Sequence, residues 1–185
     1  MENPQPVFLI VGPPAVGKST TSAALASRFA RSVHIPVDDL RMMVVSGLEL
    51  PGAEWSDALT QQISLARSNA TYMTQTYTNA GFVVALDDFL DFNFPRDYEA
   101  LLKRPGVHPI LLYPPQSTAH QRNLKRTGDG PGRIYIDQGI QLVYEGIKEF
   151  VPIMEQNGWQ VLDTTEMSIE ETVDEILRRA NVTPG

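Results

Sequence analysis

Short runs of apolar residues alternate along this chain with longer segments in which apolar residues recur at helical spacing. The first run, Val7 to Val11, is apolar throughout, which is typical of a strand covered on both faces. Further strands are predicted over 33–37, 82–86, 107–113 and 159–162. Helices are predicted over 19–31, 39–47, 56–79, 95–103, 118–126, 136–150 and 169–180. Because strands joined by helical crossovers pair in parallel, the pattern predicts a three-layer α/β/α sandwich with a five-stranded parallel sheet.

Two of the predicted helices carry a clear apolar stripe that is expected to pack against the sheet. In the first, the stripe consists of Leu59, Ile63, Ala66, Ala70, Met73 and Tyr77. In the second, it consists of Ile136, Ile140, Val143, Ile147 and Phe150. Residues 48–55 and 127–132, which contain Pro and Gly, are predicted as loops, and Ser168 is predicted to cap the last helix.

Composition narrows the classes of protein that fit this pattern. A length of 185 residues, with 42% hydrophobic and 20% charged residues, favours one packed domain over 1–185. No cysteine is present, which excludes disulfides and thiolate zinc sites. With no membrane-length apolar run and no basic leader, a cytoplasmic location is expected by elimination. The net charge of −7 argues against a nucleic-acid partner, because a polyanion would be repelled.

The segment from Gly12 to Ser19 has the spacing of a P-loop, between a buried strand and a helix. In such a loop the backbone amides point at phosphate oxygens, and the helix N-terminus adds a favourable dipole. Lys18 is predicted to bridge the β- and γ-phosphates of ATP, and the Ser19 hydroxyl to bind Mg²⁺. The loop does not distinguish ATP from GTP, so GTP is kept as an alternative nucleotide. The predicted nucleotide contacts in this segment are Gly12, Ala15, Val16, Gly17, Lys18, Ser19 and Thr20.

Two acidic pairs follow predicted strands, Asp38 with Asp39 and Asp87 with Asp88. Ligands of parallel α/β sheets bind beyond the carboxyl ends of the strands, so both pairs are expected at the binding edge. Asp39 is also a candidate N-cap of the helix that follows it. The three histidines, His34, His108 and His120, have no metal-ligand spacing, and no chemistry is assigned to them.

With these motifs, the chain resembles the small-molecule kinases of the nucleoside-monophosphate-kinase-like group, especially the chloramphenicol phosphotransferases and, more distantly, the zeta-toxin kinases. The matching stretches occur in the family's order and span about residues 7 to 180. They are GPPAVGKST at 12–20, VDDL at 37–40, LDD at 86–88, Arg122 with Arg126, and LDTT at 162–165. The resemblance implies the strand order 2-3-1-4-5.

The resemblance also implies roles for the acidic residues. Asp38 matches the carboxylate that accepts the proton of the substrate hydroxyl. Asp87 matches the acid beside the P-loop that holds Mg²⁺ together with Ser19, and Asp88 is then expected to face the acceptor.

In the same family, an arginine pair borders a mobile lid. Arg122 is expected to stack on adenine and Arg126 to reach the phosphates, since guanidinium is planar and permanently charged. The lid region is expected at about 122–135, with its loop over roughly 127–134, and Arg133 is expected to close over the γ-phosphate. Thr164 and Thr165 match a segment that borders the adenine.

The expected function is transfer of the γ-phosphate of ATP to a hydroxyl of a small molecule, such as an antibiotic, sugar or metabolite. Segments 41–55 and 89–96 are expected to line the acceptor pocket but do not identify the acceptor. The candidate contacts there are Arg41, Trp55, Asp88, Phe92 and Phe94, together with Asp38. The alternatives are a nucleotide-dependent regulator without an acceptor, a 5′-hydroxyl nucleic-acid kinase and a nucleoside-monophosphate kinase. The sequence leaves the oligomeric state open.

Overall fold

A computed structural model of the chain describes residues 4–52, 55–91 and 94–184. The strands are β1 (Val7–Val11), β2 (Ser32–Pro36), β3 (Val83–Asp88), β4 (Val107–Leu112) and β5 (Gln160–Leu162). The helices are α1 (Lys18–Ala26), α2 (Val37–Met42), α3 (Asp57–Asn79), α4 (Phe94–Asp97), α5 (Glu99–Leu102), α6 (Gln116–Thr127), α7 (Pro131–Ile147), α8 (Val151–Gln156) and α9 (Ile169–Ala180).

The five strands form one parallel sheet in the order β2-β3-β1-β4-β5, which confirms the predicted fold class and strand order. The strand before the P-loop is therefore central, with β3 on one side and β4 on the other. The register places Ile10 beside Asp87 and Val11 beside Asp88. The second acidic pair thus lies next to the start of the P-loop.

Alternate residues of each strand supply two separate hydrophobic cores, one on each face of the sheet. In β1, Phe8 and Ile10 join a core with α1, α6, α7 and α9. Val7, Leu9 and Val11 join the other core, with α3, α4 and α5. In the predicted stripe of α3, Leu59 and Ile63 are buried, and four residues belong to or pack against this second core: Ala66, Ala70, Met73 and Tyr77. The molecule is therefore the three-layer sandwich that the sequence predicts.

Several element boundaries differ from those predicted. Helix α1 ends at Ala26, well before residue 31. Helix α2 begins at Val37, with Pro36 as its N-cap, so Asp39 is not the cap. In the stripe of α7, Phe150 lies beyond the helix end and is 58% exposed, whereas Ile140 is fully buried.

The loop predicted over 127–132 is the largest difference. Helix α6 continues to Thr127 and α7 begins at Pro131, which leaves only residues 128–130 between them. Pro131 suits the first turn of a helix, because the missing N–H has no intrahelical partner there. The segment expected to be a loop is therefore a tight connection between two helices.

The end of the chain agrees with the sequence. Ser168 caps α9 in a capping box with Glu171, as predicted. Among the residues that the structure describes, no helix is both long and apolar enough to cross a membrane.

Candidate functional site

The loop between β1 and α1 has the backbone geometry that an anion-binding loop requires. A Cβ at Gly12 would lie 2.5 Å from the carbonyl oxygen of Leu112, so only glycine fits there. Gly17 has a φ of 98° and Ala15 a φ of 63°, both in the left-handed region. Positive φ at a residue other than glycine costs energy, and such strained residues are enriched at functional sites. Helix α1 then begins at Lys18, one residue before its predicted start.

Several of the charged residues predicted for the site lie near Lys18. Its Nζ donates a hydrogen bond to the carbonyl oxygen of Pro13 at 2.9 Å, so the side chain folds back over the loop. Burial lowers the pKa of Lys18, whereas the carboxylates of Asp38, Asp87 and Asp88 raise it, and the guanidinium of Arg126 lowers it further. Three acidic residues and one lid arginine therefore lie within electrostatic reach of one ammonium group.

Ser19 and Asp87 lie together beside Lys18, as expected for a magnesium site. The Ser19 hydroxyl donates to Oδ1 of Asp87 at 2.6 Å. A hydroxyl and a carboxylate are hard oxygen ligands, and Mg²⁺ needs few protein ligands because it keeps several waters. No group of three or more potential metal-ligating His, Asp or Glu residues occurs among the described residues. The donor set thus fits a magnesium ion held mainly by water and phosphate.

His34 also contacts Asp87, which the sequence did not predict. Its Nε2 lies 2.5 Å from Oδ2 of Asp87, across the pairing of β2 with β3. Both carboxylate oxygens of Asp87 are therefore engaged, one by Ser19 and the other by His34.

A cleft with a cavity volume of about 250 Å³ lies beside the P-loop, on the side of α9. Its lining is mostly apolar, with a few hydroxyls, which suits a flat heterocycle. The lining residues are Val16, Gly17, Thr21, Arg122, Thr164, Met167, Ser168, Ile169 and Thr172. Four of these were predicted as nucleotide contacts. Thr20, also predicted, is exposed, and Thr165 has its hydroxyl bound to Asp163.

Arg122 joins the two walls of this cleft. Its Nη1 donates to the carbonyl oxygen of Val16 and to Oγ1 of Thr164, both at 3.1 Å. Its Nη2 donates to the carbonyl oxygen of Thr164 at 2.5 Å. The guanidinium is thereby held beside the cleft, while stacking on adenine stays a prediction.

The other two arginines of the predicted lid, Arg126 and Arg133, have different surroundings. Arg126 is exposed, and its charge reaches Lys18. Arg133 instead forms ion pairs with Asp129 and with Asp137, the latter at 3.2 Å. These two ion pairs hold Arg133 beside residues of α7 and of the connection between α6 and α7.

Asp38 lies in the first turn of α2, with its side chain 65% exposed. It forms an ion pair with Arg41 at 3.4 Å. Arg41 is only 6% exposed and also donates to the carbonyl oxygen of Glu49 at 3.1 Å. Asp38 is thus accessible, while Arg41 serves mainly to attach the following segment to α2.

Asp88 does not face an open acceptor site, contrary to the expectation. It is fully buried, and its Oδ2 accepts from Nε of Arg67 at 2.7 Å and from the hydroxyl of Tyr98 at 3.0 Å. Arg67 is itself fully buried and pairs further with Asp91 at 3.1 Å and Asp97 at 3.0 Å. Arg67 is not among the residues predicted from the sequence. This arginine organises the segment that follows β3.

The aromatic residues predicted for the acceptor pocket lie in different surroundings. Trp55 is 38% exposed, and its Nε1 donates to Oγ1 of Thr60 at 2.7 Å, close to the start of α3. Phe94 is buried in the core against Tyr98 and Trp159, so it is not available for a ligand. Phe92 lies outside the described residues.

Several solved structures are similar to this one over nearly the whole length of the chain. The tunicamycin resistance protein of Deinococcus radiodurans is 16% identical, with a TM-score of 0.63 and 97% of each chain covered. A gluconokinase from Sinorhizobium meliloti is also 16% identical, with a TM-score of 0.64 over 97% of this chain and 94% of that one. Thymidylate kinase from Candida albicans is 17% identical, with a TM-score of 0.65 over 96% and 92%.

The fold is that of the P-loop kinases. No protein-family model matches the sequence, and no curated protein sequence is similar to it. At the identities found, the likeness establishes the architecture. Within the P-loop kinase fold, the residues around Lys18 lie at the carboxyl edge of the sheet, where α/β folds bind their ligands.

Proposed function

We propose that this chain is a phosphotransferase that moves the γ-phosphoryl group of ATP to a hydroxyl of a small molecule, with Mg²⁺ bound. The observation that carries the proposal is the convergence on Lys18 of Asp38, Asp87 and Arg126, which come from three different elements. A protein that only binds nucleotide needs the P-loop, but it needs no accessible carboxylate beside the position of the γ-phosphate.

Each group has a task that follows from its chemistry. The amides of the P-loop and the ammonium of Lys18 would hold the β- and γ-phosphates, with the base in the cleft beside Arg122. Bound Mg²⁺ would neutralise charge on these phosphates, and Ser19 and Asp87 are the residues that would hold it. Arg126 would complement the charge of the transferring group from the lid side.

Asp38 would act on the acceptor. In the transfer, a bond forms between the acceptor oxygen and the γ-phosphorus, and the bond from that phosphorus to the β–γ bridging oxygen breaks. The acceptor proton passes to the carboxylate of Asp38, and ADP leaves. Because the transition state of phosphoryl transfer is loose, the proton moves late, so an ordinary exposed carboxylate is sufficient.

The test is a screen of hydroxylated compounds with γ-labelled ATP, followed by mass spectrometry of any labelled product. Once an acceptor is found, Asp38→Asn should lower transfer by about 100-fold or more while leaving nucleotide affinity nearly unchanged. Asp39→Asn is the matched control, because it removes the same charge from the neighbouring exposed position of α2.

Two results would count against the proposal. Full transfer activity in Asp38→Asn would show that another group takes the proton. Nucleotide binding with no labelled product from any acceptor would favour the alternative of a nucleotide-dependent regulator.

A further inference from the structure

His34 lies on β2 and shares a face of the sheet with Asp87. It is in register with Ala85 of β3, and Asp87 is two residues further along that strand, so both side chains stand on the same face. The side chain of His34 is 23% exposed and that of Asp87 is 7% exposed. Their contact of 2.5 Å is therefore mostly shielded from water.

The two oxygens of Asp87 are held by donors from different parts of the fold. Oδ1 accepts from the hydroxyl of Ser19 at 2.6 Å, on the side of the P-loop. Oδ2 lies at Nε2 of His34, on the side of β2. An ionised carboxylate only accepts hydrogen bonds, so Nε2 carries the proton in this pair. The contact with His34 fixes the rotation of the carboxylate and leaves Oδ1 directed at Ser19.

We propose that His34 is a positioning residue of the magnesium site, which holds Asp87 so that Oδ1 faces Ser19 and the P-loop. This inference rests on the proposed function, since it concerns the metal ion that accompanies the nucleotide. Partners that hold a metal-ligating carboxylate typically contribute 10- to 100-fold to metal affinity or activity. Removal of the donor at position 34 should therefore weaken the part of nucleotide binding that depends on magnesium.

The experiment measures the affinity for a non-hydrolysable ATP analogue by calorimetry, with Mg²⁺ and with EDTA. The ratio of the two dissociation constants is the gain in nucleotide affinity due to magnesium, called the magnesium gain below, and its measurement needs no turnover. His34→Leu fills the space without a donor, and His34→Gln restores an N–H donor. Val33→Ala is the control for general loss of packing, because Val33 lies on the same strand and packs against the core on the opposite face.

We expect His34→Leu to reduce the magnesium gain by about 10-fold or more, with little change in the affinity measured in EDTA. His34→Gln should recover most of the gain, and Val33→Ala should keep it while lowering the melting temperature. An unchanged gain in His34→Leu, an equal loss in Val33→Ala, or no gain in the unmodified protein would each overturn the positioning role. If the unmodified protein binds no nucleotide in either buffer, the proposed function fails, and this inference fails with it.

Discussion

Replacement of Arg67 by alanine gives the sharpest prediction about stability. Its guanidinium is fully buried, and it pairs with Asp88, Asp91 and Asp97 at 2.7–3.1 Å. It also donates to the carbonyl oxygen of Phe89 at 3.1 Å. Without it, these three carboxylates lose the guanidinium with which all of them pair.

Removal of one partner from a buried ion pair costs about 3–5 kcal/mol. In a protein of this size, each kcal/mol lowers the melting temperature by about 2–4 °C, so Arg67→Ala should melt about 6–20 °C below the unmodified protein. Arg28→Ala is the control, because Arg28 also pairs with two carboxylates, Glu170 and Asp174, but on the surface. It should cost about 1 kcal/mol or less. Urea unfolding followed by circular dichroism gives both free energies of unfolding.

The pH dependence adds a second check on the same variant. Burial raises the pKa of Asp88 to about 6, above the 3.8 of an unfolded chain, although the charge of Arg67 opposes this shift. Ionisation of Asp88 thus costs the folded state stability as the pH rises through about 6, and loss of Arg67 increases that cost. Relative to the unmodified protein, Arg67→Ala should therefore lose more free energy of unfolding at about pH 8 than at about pH 5. A loss below about 1 kcal/mol in the free energy of unfolding that does not vary with pH would contradict this role of Arg67 in the buried cluster.

Two further predictions concern the phosphate side of the site. Arg126→Ala should slow turnover by about 10³-fold. Lys125→Ala is the control, because it removes the neighbouring exposed charge of α6, and it should change turnover little. Equal effects of the two substitutions would show that Arg126 acts only as a surface charge. Because burial lowers the pKa of Lys18 and bound phosphates raise it, nucleotide binding at alkaline pH should take up protons. Calorimetry in buffers of different ionisation enthalpy measures this uptake, and release of protons would contradict it.

The fold and the P-loop were predictable because their signals are local. Val7 to Val11 form an unbroken apolar strand, and the glycines at 12 and 17 stand at the spacing that the loop needs. The shared edge of Asp38 and Asp87 was predictable because each lies at the carboxyl end of a predicted strand, and parallel strands bring those ends together.

The missed residues depend on contacts between distant parts of the chain. Arg67 lies next to Ala66 in the stripe of α3, and an arginine beside a stripe is normally expected on the surface. Its partners Asp88 and Asp97 lie 21 and 30 residues further on. The role of His34 depends on the register of β2 against β3, which the sequence of neither strand specifies. At Pro131, the glycine-rich composition suggested a loop, but a helix begins there.

We propose that the backbone from Ala15 to Thr20 cradles the phosphates of a nucleotide. Amide chemical shifts, followed by NMR during a titration with MgADP, test it most directly, because these residues carry the N–H groups concerned. We expect saturable changes that are largest at residues 15–20, together with changes at Thr164 and Met167 in the cleft. No saturable change, or changes concentrated away from these residues, would contradict it.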